Sequence, residues 1–145
     1  VVQGVGGSCF CPEIPEPLSF DPDWVIVAYG TNDFTACTDV GKFRETLDAY
    51  LSGLKALYPQ KAIFVISPIW REKTGSKCGL DFAGWRQLIA DTAERYGFVP
   101  VDGARLVPPM RDFYHDSLHP NDSGFAFYAE NLTEFLKKYE KIPER

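Results

Sequence analysis

Two residues three positions apart carry the most specific chemistry in the chain: Asp116 and His119, within Tyr114-His115-Asp116-Ser117-Leu118-His119-Pro120-Asn121. A carboxylate at that spacing can accept from one imidazole nitrogen and fix the tautomer. It also stabilises the imidazolium formed when the other nitrogen takes a proton from a nucleophile. The same spacing suits a solvated loop in which Asp116 caps a turn. His115 takes a structural place, since one base suffices and its spacing to Asp116 is poorer. A second group is Gly30-Thr31-Asn32-Asp33, where the Asn32 amide could donate to a developing oxyanion, a contribution of about 2.7 to 4 kcal/mol to the barrier. These four residues are also turn formers, and alone they read more readily as a plain turn. A third is Gly4-Val5-Gly6-Gly7-Ser8, a glycine-rich turn of the kind that points backbone N–H groups at an anion. It lacks Gly-Lys-Ser/Thr and a following helix, so it is not a phosphate loop; oxyanion donor and structural turn both stay open.

Such residues need a scaffold, and the surrounding pattern supplies one. Four short apolar runs, Val1 to Val5, Trp24 to Tyr29, Ala62 to Ser67 and Phe98 to Val101, alternate with helical patterns, which predicts an α/β fold with a parallel sheet. Trp24 to Tyr29 is apolar at every position and is predicted to be the central strand. A helix is expected over Gly41 to Tyr58, with Phe43, Leu47, Leu51, Leu54 and Tyr58 inward, Thr38 or Asp39 as cap and Pro59 as stop. A second follows Asp81, with Phe82, Trp85, Leu88, Ile89, Ala93 and Tyr96 inward and Gly97 as stop. A third begins near Asn121 or Asp122, with Phe125, Tyr128, Ala129, Leu132, Phe135 and Leu136 inward and Lys137-Lys138 at its end. Cys11 to Pro22, with four prolines, reads as a rigid irregular loop. In open α/β sheets ligands bind beyond the carboxyl ends of the strands, where all three groups fall.

Composition excludes several classes. A chain of 145 residues that is 45% apolar and 24% charged fits one globular domain, not a disordered segment. A net charge of -5 is the wrong sign for nucleic acid. No apolar run approaches the roughly 18 residues of a membrane span, and Val1-Val2-Gln3-Gly4 does not resemble a signal peptide. Any such signal would lie upstream, so compartment is unassigned. The four cysteines, at 9, 11, 37 and 78, form neither a disulfide framework nor a zinc pattern. They lean slightly towards a reducing, cytoplasmic setting, as buried free thiols, with one bridge left open. No metal or cofactor is expected, and oligomeric state is not legible.

Taken in order, the motifs resemble the SGNH hydrolases, also called the GDSL lipase/esterase family. Gly30-Thr31-Asn32-Asp33 after a buried strand is similar to the family's Gly-x-Asn-Asp block. Asp116-Ser117-Leu118-His119 before the last helix is similar to its Asp-x-x-His block, and Gly4-Val5-Gly6-Gly7 looks, less specifically, like its second block. The resemblance implies a flavodoxin-like three-layer α/β/α sandwich and metal-free acyl-ester hydrolysis. Asn32 and Gly7 would form the oxyanion hole, and Asp116 and His119 would complete a Ser-His-Asp triad. Gly30, Thr31 and Trp70 are expected at the substrate. Phe34, Trp70 and Tyr114 could stack on a sugar or serve as packing, so an acetylated carbohydrate is the preferred substrate.

One block is missing. No Gly-Asp-Ser occurs in the sequence. Residues 1–145 are therefore expected to be an N-terminally incomplete domain of a longer enzyme, inactive by itself, whose nucleophilic serine lies upstream. In the doubly wound order 2-1-3-4-5 the absent first strand would sit mid-sheet. Ser8, and then Cys9 or Cys11, are the substitute nucleophiles to consider. A non-catalytic module that keeps the pocket for binding is the alternative, and a flavin or nucleotide binder of similar fold lacks the necessary phosphate loop.

Overall fold

The computed structural model describes residues 4–13 and 17–140. They fall into two compact units, one within Val1–Pro68 and Thr74–Val101, the other within Ile69–Lys73 and Asp102–Arg145. The first unit is a three-stranded parallel sheet, β1 (Trp24–Val27), β2 (Ala62–Ile66) and β3 (Val99–Val101), in the order β1-β2-β3. Between β1 and β2 come α1 (Thr31–Ala36) and α2 (Val40–Leu57); between β2 and β3 comes α3 (Phe82–Arg95). Both crossovers therefore pass through helices, as parallel pairing requires. Register is fixed by Trp24 opposite Ala62 and Phe64 opposite Val99.

The helix ends follow their capping chemistry. Asp39 Oδ1 accepts from the amides of Gly41 at 2.8 Å and Lys42 at 3.3 Å, and Asp81 Oδ1 accepts from Gly84 at 2.7 Å. The apolar stripes of α2 and α3 meet Val27, Ile63 and Val65 in one core, with Leu47, Leu51, Trp85 and Ile89 almost wholly out of water. Each contributes about 1.5 to 3 kcal/mol by burial. Phe64 and Ile66, on the opposite face of β2, are buried as well, so β2 is closed off on both sides. The fold is a flavodoxin-like α/β arrangement.

The sheet order corrects the expected centre. β2, not the run from Trp24, is the middle strand; β1 is paired on one side only among the described residues, and its Ile26 is 44% exposed. An uninterrupted apolar run reports two-sided burial but not which strand has two neighbours. A three-stranded sheet fits the expected lack of a first strand. Of the strand expected at Val1 to Val5, residues 1–3 lie outside the described residues, and Gly4 and Val5 belong to no strand. The loop expected from Cys11 to Pro22 has no helix or strand in its described part, and its residues 14–16 lie outside it.

In the second unit, two short 3-10 turns (Gly103–Arg105 and Arg111–Phe113) lead to α4 (Asp122–Glu140). Asn121 caps α4, its Oδ1 accepting from the Gly124 amide at 3.0 Å. The inward face differs from the expected stripe: Phe125 is 57% exposed and Ala129 is exposed, while Gly124 is buried. A Cβ at Gly124 would come within 2.1 Å of the Phe113 carbonyl oxygen, so the close crossing there sets the rotation of the helix. Asn131, which a hydrophobic pattern passes over, donates from Nδ2 to the Leu106 carbonyl at 3.0 Å.

Gly30 joins β1 to α1 with φ of 107°, and a Cβ there would meet Ile89 Cδ1 at 2.6 Å and Pro68 Cγ at 3.1 Å. Left-handed strain and overpacking act together at this position. Gly30→Ala is expected to destabilise the protein by about 2 to 5 kcal/mol, whereas Gly75→Ala, with open space around it, should stay within about 0.5 kcal/mol. Urea unfolding midpoints compare the two; equal midpoints would refute the assignment.

Candidate active site

The seven residues from Tyr114 to Pro120 form a closed loop in the second unit. Tyr114 and Pro120 make an antiparallel bridge, and the His115 amide donates to the His119 carbonyl at 2.8 Å. Inside the loop both carboxylate oxygens of Asp116 are in use. Oδ1 accepts from the amides of His119 at 2.8 Å and Leu118 at 3.1 Å, while Oδ2 lies 2.8 Å from His119 Nδ1. A carboxylate at Nδ1 favours the tautomer with the proton there, which leaves Nε2 as the acceptor. Asp116 thus does both things its spacing allowed, capping a turn and orienting the imidazole. His119 keeps 71% of its side chain exposed, so Nε2 is reachable from solvent.

These bonds set the charge on Asp116. The His119 amide and then its imidazole favour the carboxylate, desolvation opposes them, and the Leu118 amide adds less than desolvation takes away, the balance holding the pKa at about 2. Ser117, between the two, has φ of 62°, a left-handed value found at no other non-glycine among the described residues. Such a backbone is one a serine rarely adopts, and it persists because the bonds on either side over-determine it. The Ser117 carbonyl accepts from the Glu72 amide at 3.0 Å, and the Glu72 carboxylate pairs with Arg111. Residues 69–73 also bring Trp70 against Tyr114, ring centroids 4.7 Å apart. Tyr114 is buried and its hydroxyl has no hydrogen-bond partner there; burial pushes its pKa up to about 12.

In the first unit, Asn32 and Asp33 lie on the opening turn of α1, a helix of six residues, where a turn was the simplest reading. Both side chains reach back to the segment after the glycine-rich turn. Asn32 Nδ2 donates to the Ser8 carbonyl at 2.9 Å, and Asp33 Oδ1 accepts from the Phe10 amide at 2.9 Å. Alternate residues of that segment are pinned by adjacent residues of the helix. The turn before it is closed by the Ser8 amide donating to the Val5 carbonyl at 3.2 Å, with Gly7 at φ of 81°. That is the position where a type II turn needs glycine. Gly30 and Thr31 stand at the entry to α1, the Gly30 carbonyl accepting from Trp85 Nε1 at 2.9 Å.

The role of Asp33 escaped sequence reasoning. Its carboxylate is buried, with Oδ2 lacking a hydrogen-bond partner; burial raises its pKa, against bonds from Phe10, its own amide and Gly30. Its clue was the adjacency to Asn32, but the partner is 23 residues away. Of the substitute nucleophiles, Cys9 has a thiol pKa raised by burial and by the Asp33 charge, the wrong direction for a thiolate. Cys11 Sγ lies 2.8 Å from Glu13 Oε2. The described residues contain no group of three or more His, Cys, Asp or Glu side chains that could hold a metal ion.

Parallel strands joined by helices define a flavodoxin-like α/β protein. The chain belongs to the GDSL-like lipase/acylhydrolase family, whose model matches residues 1–127. Comparison with curated proteins gives no match. Among solved structures, a protein from Lactobacillus plantarum is similar with a TM-score of 0.67 and 24% identity over 81% of this chain and 68% of that one. The salicylyl-acyltransferase SsfX3 of a tetracycline biosynthetic pathway gives 0.70 and 20%, over 88% of this chain and 40% of its own. A peptidoglycan O-acetylesterase gives 0.66 and 18%, over 81% and 37%. At these identities the likeness is one of fold, and the chain spans well under two thirds of the last two.

The Asp116 carboxyl titrates below its ordinary value of about 3.9, so its bonds stabilise the folded loop above that pH. The contribution is lost as pH falls through about 2. Carboxyl carbon NMR of Asp116 should accordingly give a midpoint near 2. A midpoint near the ordinary value would show that the loop bonds are absent in solution.

Proposed function

We propose that the full-length protein is an acyl-ester hydrolase working through an acyl-enzyme, with His119 as general base and Asp116 as its orienter. The observation that carries this reading is the 2.8 Å contact of Asp116 Oδ2 with His119 Nδ1, made by a carboxylate whose other oxygen is already fixed by two backbone amides. Nε2 takes the proton of a serine hydroxyl as it attacks the ester carbonyl, and returns it to the leaving alcohol. Water repeats the cycle on the acyl-enzyme. The serine is assigned to a Gly-Asp-Ser segment upstream of Val1, as family membership suggests.

The oxyanion falls to Gly7 N–H and the Asn32 amide. Asn32 holds the Ser8 carbonyl with one amide hydrogen, which fixes the plane of the group; the second hydrogen is the one assigned to the oxyanion. Gly30 and Thr31 are assigned to the substrate side of the same helix start. An acyl group on a carbohydrate is the preferred substrate. The fold shared with a peptidoglycan O-acetylesterase supports it, and the half-buried Trp70, in the unit that holds His119, is the ring assigned to the sugar, Tyr114 being buried as packing.

With p-nitrophenyl acetate and the full-length protein, His119→Ala is expected to lower kcat/KM by about 10³-fold or more, and Asp116→Asn by about 10²- to 10⁴-fold. Asn32→Ala should cost about 10²- to 10³-fold, in kcat and not in KM. Full activity in His119→Ala would sink the mechanism. Labelling of residues 1–145 alone by a fluorophosphonate would move the nucleophile into this chain, with Ser8 the first residue to check by peptide mapping.

A further inference from the structure

No step of the proposed reaction uses Asp33, yet it is one of only two described residues, with Arg71, that bury a charged side chain. It is 7% exposed, Oδ1 accepts from the Phe10 amide at 2.9 Å, and Oδ2 has no hydrogen-bond partner. A half-satisfied carboxylate in a core is costlier than an apolar side chain of the same size, so packing alone does not account for it. What the carboxylate supplies is an acceptor for one amide 23 residues earlier in the chain. That amide belongs to an anchor. The Phe10 ring is 4% exposed and meets Tyr29, Phe43 and Tyr50 with centroids 5.6, 6.1 and 5.2 Å away. Two residues before it, the Ser8 carbonyl accepts from Asn32 Nδ2 at 2.9 Å, and the Ser8 amide closes the Gly7 turn onto the Val5 carbonyl at 3.2 Å.

We propose that Asp33 is a positioning residue for the oxyanion site: by holding the Phe10 amide it fixes the Gly7 N–H relative to the Asn32 amide, and it touches no substrate itself. This rests on the reading of Gly7 and Asn32 as the two oxyanion donors. Only Ser8 and Cys9 separate Gly7 from Phe10, and successive Cα atoms are about 3.8 Å apart, so the Gly7 N–H has little freedom once Phe10 is fixed. Adjacent residues of one helical turn make the two ties, Asn32 donating to Ser8 and Asp33 accepting from Phe10. Both oxyanion donors are thereby referred to the same backbone. Without the Asp33 tie, Asn32 stays on α1 while the Gly7 turn shifts. A shifted donor weakens a bond made in the transition state and leaves ground-state binding as it was.

The test uses the full-length protein and p-nitrophenyl acetate. Asp33→Ala is expected to lower kcat by about 10²-fold while KM changes by less than about 3-fold. Asp33→Val, an apolar group of similar size, is read beside it and should behave alike, so that a cavity is not mistaken for a lost acceptor. Asp33→Asn, whose side-chain oxygen can still accept from Phe10, should recover at least about tenfold of the loss. Amide hydrogen exchange follows the tie without reference to catalysis: the Phe10 and Ser8 amides should exchange faster in the alanine and valine variants and be protected again in Asp33→Asn. The Leu51 and Ile89 amides of α2 and α3 should keep their protection throughout, which separates local loosening from unfolding. Unchanged kcat in Asp33→Ala and Asp33→Val, a loss in Asp33→Asn as deep as theirs, a change in KM alone, or unaltered exchange at Phe10 would each overturn the proposal. Full activity of His119→Ala would overturn the reading of the site on which it rests, a separate failure visible without any Asp33 variant.

Discussion

The carbonyl oxygen of Gly30 accepts two hydrogen bonds, from the Trp85 indole at 2.9 Å and from the Phe34 amide at 3.0 Å. It does so at a residue whose φ of 107° is costly for any side chain. Much of the first unit follows from that point. The chain leaves β1 and begins α1 through only Ala28, Tyr29 and Gly30, so Asn32 and Asp33 emerge close to the strand end. Trp85 can reach the carbonyl only if α3 crosses close by, and the close crossing brings its ring flat against Phe43 of α2, centroids 3.8 Å apart. Phe34 meets the same indole edge-on at 5.6 Å. A polar contact 55 residues long in sequence thus sets the spacing of three helices around one indole.

The two pieces of candidate machinery are held by different physics. Asn32 and Asp33 depend on long-range packing, since α1 is too short to be stable in isolation and exists because Phe34 is buried in an aromatic cluster. The Asp116–His119 pair depends on contacts within a few residues, most of them backbone amides. A core mutation that loosens the first unit would therefore be felt at Asn32 before it was felt at the imidazole.

Much of this was legible in the sequence, and what was not has a physical reason. The helices α2, α3 and α4 and their caps were readable, because each runs for several turns with an Asp or Asn at its start. Helix α1 was not, because six residues give no period and Gly, Thr, Asn and Asp are turn formers. The positions of β1, β2 and β3 were readable, whereas Gly4 and Val5 of the first expected run belong to no strand, and the middle of the sheet was not readable, since pairing is a long-range property. On α4 the pattern weighted Phe125 and Ala129, whereas the inward rotation is set by a backbone contact at Gly124 that hydrophobicity does not report. Asp116 and His119 could be paired from spacing alone; Asn32 with Ser8 could not, being 24 residues apart.

A carboxylate with both oxygens committed has no second rotamer of comparable energy. For Asp116 this means that the direction of the His119 ring is decided when seven residues fold, not when a ligand arrives. The ordering entropy of the imidazole is spent in advance. It also means that loop shape and proton affinity are one property here: any event that protonates Asp116 releases the turn and the ring together.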